Sequence, residues 1–521
     1  MRRPPTLVVN ALAALMLASA GCAVGPNYRQ PPIAAPPAFK EEPPVNVKEA
    51  EAAGWKQSQP GDAYAKGRWW ELYNDAALNA LEEQVNVSNQ NVLQAEALYR
   101  QARAAVRVAR SPLFPTVTTN PSITASGGAN ANRNNSTTAS GVGTVNGNNS
   151  TTPSGGGTVN GNSSGSSSST FYDLPVSVSW EPDLWGSIRR GVTASTATAQ
   201  SLAASVGNAR LLVQAELAQD YFGLHGIDAE VELLLRTEAS YTEFLTLTQN
   251  RFSGGVASDL DVAQAETQLY GVQAQLIDLG VQRAAFEHAI AILIGKAPAD
   301  LTIPPATLNI SPPPVPRGVP SELLERRPDI ATAERQVAAA NEQIGIAMAA
   351  FYPNLNLTGS AGLASSSLAK WFTWPSRFWS VGPQLAATLF DAGRRRGLVA
   401  EQRAAYDATV ATYRQTVLTA MQQVEDNLAA LRILSGEADV VERTVQAATR
   451  ALNISAAQYR AGTANYLTVI TAQATLLTAQ VNAVTLLTRR MTASVLLIEA
   501  LGGGWNPSQF PTEPNAIGRQ R

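Results

Sequence analysis

The chain has 521 residues, 45% of them apolar and 15% charged, and carries a net charge of −2. A balance so close to neutral, with no basic run, argues against nucleic acid as a partner. One cysteine rules out an intrachain disulfide, and two histidines, His225 and His288, leave no material for a His-rich metal or acid–base centre.

Residues 1–21 read as an export signal: Arg2 and Arg3, an apolar core from Leu7 to Leu17, then small residues up to Gly21. Cys22 follows at once, and a small residue before the only cysteine marks a lipoprotein site. Its thiol is expected to take a diacylglyceryl group and its freed amine a palmitoyl chain, because two or three acyl chains anchor stably where one is marginal. No other cofactor and no metal is expected. Residues 22–67 join this lipid anchor to an extended tether rich in Pro, Ala and Glu. Over 68–112 the spacing of Leu78, Leu81, Val85, Val92 and Leu98 predicts a helix.

Residues 113–182 form the first predicted β-hairpin, with a low-complexity outer loop at 126–170. That loop holds two tandem copies of one pattern, NNSTTASGVGTVNG (Asn134 to Gly147) and NNSTTPSGGGTVNG (Asn148 to Gly161), a composition that cannot bury a core. Residues 183–297 contain no proline before position 298 and predict a first long helical hairpin. A Pro-rich connector at 298–327 leads to a second helix at 328–352 and a second β-hairpin at 353–389. A second long helical hairpin follows at 390–501, then a tail at 502–521. In the second hairpin Leu467, Ile470, Ala474, Leu477, Val481 and Val484 keep a 3–4 alternation, the pattern of a coiled-coil seam. Turns are expected at His225–Asp228 and Leu434–Glu437. They would make helices of about 40 to 60 residues that reach about 60 to 90 Å.

Much of this order occurs twice. RFSGGVASDLDVAQAETQL (Arg251 to Leu269) matches QYRAGTANYLTVITAQATLL (Gln458 to Leu477). LFPTVTTNPSITASG (Leu113 to Gly127) matches FYPNLNLTGSAG (Phe351 to Gly362), and DLWGSIRRG (Asp183 to Gly191) matches LFDAGRRRG (Leu389 to Gly397). Two internal repeats of a strand-and-helix unit are expected, at a period too long for a solenoid.

The strands alternate. Val176, Val178 and Trp180 are apolar between Ser177 and Ser179; Leu355 and Leu357 alternate with Asn354, Asn356 and Thr358. A period of two with one apolar face is what a membrane barrel strand requires. Phe171, Tyr172, Trp180, Trp371, Phe372, Trp374, Phe378 and Trp379 stand near strand ends, where an interfacial girdle belongs. Only about four such strands are found. Four cannot close a barrel and an open edge cannot lie in lipid, so several chains must share one.

Three stretches carry a family resemblance: CAVGPNYRQP (Cys22 to Pro31), WWELYNDAALNAL (Trp69 to Leu81) and ERRPDIATAERQVAAANEQIGIAMAAFYPNL (Glu325 to Leu355). The chain resembles the TolC/OprM-type, NodT-like outer-membrane efflux lipoproteins, the outer-membrane factors of resistance-nodulation-division pumps. The resemblance implies a mainly α fold with membrane β. A long α-helical coiled-coil barrel would be continuous with a shared 12-stranded β-barrel, to which each protomer of a homotrimer gives four strands. It further implies a periplasmic adaptor, an inner-membrane resistance-nodulation-division transporter and outer-membrane lipid as partners, and passive conduction of drugs or other small molecules to the exterior. Departures from the family pattern are the Asn134–Gly161 repeat, Ser19 before the cysteine and Asn27. Arg326-Arg327-Pro328-Asp329 reads as structural, with Pro328 as the first residue of a helix.

A periplasmic gate is expected near the predicted turns, from Asp220, Tyr221 and Asp228 in the first half and Glu425, Asp426 and Arg432 in the second. Other functions weighed are the outer-membrane duct of a protein-secretion system, a lipid-anchored structural coiled-coil protein, and a lipid-anchored enzyme. The last lacks a G-x-S-x-G, a metal-ligand spacing and a Cys–His pair, so no catalysis is expected.

Overall fold

Without proline to break them, the two long stretches form helices longer than their periodicity predicted. The computed structural model describes residues 23–33, 36, 39–41, 67–127, 168–307, 311–313 and 326–505. Outside the described residues lie the signal peptide 1–21, Cys22, tether residues 42–66, residues 128–167 of the low-complexity loop, and the tail from 506 onward. The chain is mostly helical. It divides into two units, one built on residues 110–188 and 351–391, the other on 23–109, 189–350 and 392–521.

The first unit is an antiparallel sheet of β1 (Thr116–Thr119), β2 (Ser122–Gly127), β3 (Ser168–Trp180), β4 (Asn354–Ser365) and β5 (Arg377–Ala386). β1 and β2 both pair with β3, β3 with β4, and β4 with β5. Five segments therefore make four paths across the sheet. β1 and β2 keep one register on β3, from Thr116↔Ser179 to Gly127↔Ser168. Their ladder fails where Asn120 and Pro121 pass Pro175, since proline offers no N–H to a neighbour.

In the second unit, α1 (Ala76–Ser88) is followed by α2 (Gln90–Arg110), α3 (Ser187–Ser253) and α4 (Asp259–Leu293). The later set is α5 (Pro328–Ala349), α6 (Arg394–Arg460) and α7 (Tyr466–Ala500). α3 and α6 each have 67 residues, about 100 Å of helix, while α4 and α7 have 35. Every boundary of α6 and α7 falls 207 residues after its counterpart in α3 and α4: 187 to 394, 253 to 460, 259 to 466, 293 to 500.

The turns expected at His225–Asp228 and Leu434–Glu437 are not there; both segments lie inside unbroken helix. Gly226 packs against Thr488, so its missing side chain serves close approach of helices, not a bend. The chain turns instead at 254–258 and 461–465, inside the duplicated motif. The N–H groups of Gly255 and Val256 return to the carbonyls of Phe252 and Arg251, at 2.9 and 2.8 Å. Those of Gly462 and Thr463 return to Tyr459 and Gln458, at 3.0 and 2.9 Å. This double bond needs a left-handed residue, and Gly255 and Gly462 supply it with φ of +74° and +77°. Ser258 and Asn465 then cap α4 and α7, accepting from the N–H groups of Asp261 and Thr468.

Each long helix runs beside two shorter ones stacked end to end. Where α4 stops, Asn89 donates from Nδ2 to the Leu293 carbonyl at 2.7 Å. Its Oδ1 accepts from Asn91 and Val92 N–H to begin α2. Where α7 stops, Arg327 donates to the Ala500 carbonyl at 3.0 Å, and Asp329 grips the same guanidinium at 2.7 and 3.0 Å. Arg327 and Asp329 thus splice α7 to α5, a structural role. By length and composition α7 could cross a membrane. Only 17% of its apolar window is buried, while its last turns pack inside, Met491, Val495 and Ile498 with Trp69, Tyr73, Phe222 and Ile290.

Glu82 shares the buried face of α1 with Leu78 and Val85, and neither carboxylate oxygen has a partner. Burial raises its pKa well above 4.5. The folded state therefore holds a proton that the unfolded chain releases near pH 4.5, so stability falls as pH rises from there. Glu82→Met is expected to stabilise by about 1–3 kcal/mol at pH 8. The gain should shrink as pH falls toward 4.5, leaving only the cost of the unpaired neutral carboxyl; a Tm difference independent of pH would contradict it.

Candidate functional site

The strand pairing sorts the sheet into two faces. Trp180↔Leu357, Val178↔Gly359, Leu355↔Leu385, Leu357↔Pro383, Gly359↔Val381 and Ala361↔Trp379 place the apolar residues together. Val117 joins them opposite Val178. Trp379 and Val381 are 79% and 78% exposed within the single chain, far more than large apolar side chains keep in water without a purpose. The opposite face is hydroxyl and amide. Ser179 donates to Asn356 at 3.2 Å, Ser360 and Ser380 share a hydrogen bond at 2.8 Å, and Thr358 donates to the Gly382 carbonyl.

Of the aromatic residues expected at strand ends, Tyr172, Trp371, Phe372 and Trp374 stand at one end of the sheet and Trp180 at the other, while Trp379 pairs with Ala361 in mid-strand. At the end where β2 stops and β3 begins, Tyr172 lies 5.4 Å from Trp371, Trp371 lies 4.9 Å from Phe372, and Arg377 stacks over Trp374. At the other end, Trp185 stacks on Tyr352 at 4.6 Å and Trp180 donates to the Leu113 carbonyl. The strand from Tyr172 to Trp180 between them covers about 27 Å at ~3.4 Å per residue. An apolar band of about 25 Å bounded by aromatic rings is the signature of a strand crossing an outer membrane. The indoles of Trp185 and Trp371 also donate to backbone carbonyls, so each ring keeps its polar edge satisfied.

In the helical unit the two hairpin turns are tied together. Arg251 lies 4.6 Å over the ring of Tyr459 and donates to its carbonyl at 2.7 Å; Thr248 meets the Tyr459 hydroxyl at 3.2 Å; Arg460 pairs with Glu243. Phe244, Ala265, Ala456, Tyr466 and Val469 close the core around them.

The N-terminal segment was expected to be a tether. Its described residues instead form a strap bound to the helices. Arg190 on α3 donates to the carbonyls of Val24 and Pro26 at 2.7 and 3.1 Å and pairs with Glu342 on α5 at 2.7 Å. Gly25, with φ of +111°, passes so close to α5 that a Cβ there would lie 2.6 Å from the Gly345 Cα. The Tyr28 hydroxyl donates to Glu334, Gln30 donates to Tyr413, and Phe39 is buried beside Val417, Val424 and Leu497.

The six residues named for a gate are not brought together, because their helices continue well past them. The Tyr221 hydroxyl donates to Asp75 at 2.7 Å inside the first core. Asp228 accepts from Arg283 at 2.7 Å, from the Ala306 N–H at 3.1 Å and pairs with His225, which fixes the connector. Burial alone would raise its pKa, but those hydrogen bonds outweigh it and the pKa is lowered. Asp220 goes the other way, to about 6, through burial and the neighbouring Glu216. Glu425 accepts from the N–H groups of Lys40 and Glu41 at 2.7 and 2.9 Å, and Arg432 pairs with Glu41, so both hold the strap. Asp426 accepts from Gln422 at 3.3 Å. The polar tips that sequence reasoning missed, Arg251 and Tyr459, carried a readable signal: a glycine three residues after an aromatic, in both copies.

Comparison with known proteins agrees with this geometry. The outer membrane efflux protein family matches residues 81–296 and 319–503. The chain is 30% identical over 488 residues to the probable efflux pump outer membrane protein TtgC of Pseudomonas putida, covering 93% of each chain. It is 30% identical over 514 residues to the outer membrane protein OprJ of Pseudomonas aeruginosa, covering 97% of each. Among solved structures it is similar to the outer-membrane channel OprN, with a TM-score of 0.79 and 28% identity over 93% of this chain and 100% of that one. Sheet, helices and sequence point the same way: the chain belongs to the outer membrane efflux protein family.

Proposed function

We infer that this chain is one protomer of the outer-membrane channel of a tripartite efflux pump, a passive duct from a periplasmic pump assembly to the exterior. The observation that carries this reading is the sheet: one apolar face, one hydroxyl and amide face, two aromatic belts, and outer edges on β1/β2 and β5 that no other described strand covers. Such edges cannot face lipid, so they must be covered by other copies of the chain. Three copies with four paths each would close a 12-stranded barrel with the hydroxyl face toward water, and cyclic symmetry makes every junction the same β5 to β1/β2 contact. The equal spacing of the α3–α4 and α6–α7 boundaries supports two internal repeats, whose hairpins would line a periplasmic tunnel. A periplasmic adaptor and an inner-membrane resistance-nodulation-division transporter are the expected partners. With the turns at 254–258 and 461–465, closure of the duct belongs near those turns and not at Asp220 or Asp426.

Deleting the gene while leaving the pump genes intact should lower the minimal inhibitory concentrations of several drugs. Unchanged susceptibility with a defect in protein export would favour a secretion duct instead. Lipidation of Cys22 completes the reading: Cys22→Ala should abolish palmitate labelling while the barrel still inserts, and an unlabelled wild type would contradict it.

A further inference from the structure

Two helix ends that lead straight into or out of the sheet carry arginines without counter-charge. Arg100, Arg103, Arg107 and Arg110 recur every three or four residues over the last three turns of α2, and so share one face. The first three are exposed. The single acid of α2, Glu96, pairs with Arg210 instead. Arg394, Arg395 and Arg396 open α6, whose first turn holds no acid. A helix N-terminus disfavours cations, so α6 gains no stability from placing them there. Arg394 and Arg396 are exposed. Among the described residues no carboxylate pairs with them or with the four arginines of α2.

Both clusters are followed, on the strand side of the chain, by apolar side chains left in the open. Only residues 111–115 separate Arg110 from β1, and Phe114 among them is exposed. Only residues 387–393 separate β5 from Arg394, and Leu389 and Phe390 among them are 94% and 86% exposed. Apolar groups toward the bilayer with cations next to them at headgroup level is how a chain meets an anionic lipid surface. A soluble anion or a glycan would leave Phe114, Leu389 and Phe390 in water. The helical unit lies in the periplasm, so the headgroups in reach belong to the periplasmic leaflet. A guanidinium fork donates two parallel bonds to one phosphate. We propose that Arg103, Arg107 and Arg110 of α2 and Arg394 and Arg396 of α6 bind the phosphates of anionic phospholipid in that leaflet, and so select it over zwitterionic lipid. The proposal rests on the sheet lying in the outer membrane, but on neither copy number nor conduction.

Native mass spectrometry of full-length, delipidated protein can count retained phosphatidylglycerol and phosphatidylethanolamine of identical acyl chains. Each arginine at an anionic surface strengthens binding about fivefold, so half-saturation with phosphatidylglycerol should need at least tenfold less lipid. Replacing Arg103, Arg107, Arg394 and Arg396 by Gln should erase that preference, while Arg443→Gln with Arg450→Gln, exposed along mid-α6, should keep it. Circular dichroism checks folding; should the fourfold variant not fold, Arg103→Gln with Arg107→Gln decides. Equal retention of both lipids by the wild type, or a preference unchanged in the variants, overturns the proposal. Full displacement of phosphatidylglycerol by equimolar glycerol phosphate overturns it too, since the site would then take a free anion. Protein that retains neither lipid at any concentration would contradict the membrane reading itself.

Discussion

Replacing Arg190 by alanine is expected to destabilise the helical unit by about 3–5 kcal/mol, the usual result of removing one partner from a buried ion pair. Arg190 and Glu342 keep only 6% and 9% of their side-chain surface exposed. Alanine would leave the Glu342 carboxylate without its cation and release the carbonyls of Val24 and Pro26 together. Two effects should follow: a lower melting temperature and proteolytic sensitivity within residues 23–33. Arg190→Lys should not restore the strap, because a lysine cannot serve Val24, Pro26 and Glu342 with one planar group. A strap that resists protease as in the wild type would show that Gly25 and Tyr28 suffice to hold it.

The second large effect is expected on the sheet. Val381 on β5 shares the apolar face with Gly359 and Val178. Val381→Arg should cost about 2–4 kcal/mol per chain if that face meets the bilayer interior, and assembly multiplies the cost across copies. Gln384, three residues on, lies on the hydroxyl face opposite Asn356. Gln384→Arg should be tolerated. Heat-modifiable migration of outer-membrane fractions reads both: loss of the assembled species for Val381→Arg and its retention for Gln384→Arg. The reverse order would turn the sheet inside out.

Several of these features could be read from the residues because they are local. Alternation in Val176–Trp180 and Leu355–Leu357 predicted the sheet's faces, since period two places side chains by geometry alone. Pro328 and Asp329 marked the start of α5 through the chemistry of a helix N-terminus. The hairpin turns were misplaced because Gly226 and Gly436 carry the same letter as Gly255 and Gly462. Only tertiary packing tells a glycine that admits Thr488 from one that turns a chain. A mid-helix glycine costs about 1 kcal/mol, which a 67-residue helix absorbs. The strap was unreadable for a different reason. A Pro- and Ala-rich segment has no periodicity, and the partners of Gly25 and Pro26 are Gly345, Arg190 and Asn341, far along the chain.

Single-channel recording in planar bilayers, on detergent-extracted full-length protein whose copy number is fixed by native mass spectrometry, tests the shared barrel most directly. A trimer that inserts and gives conductance steps of uniform size is the predicted result. A folded monomer that inserts, or a trimer that never conducts in any condition that keeps it assembled, would contradict the account.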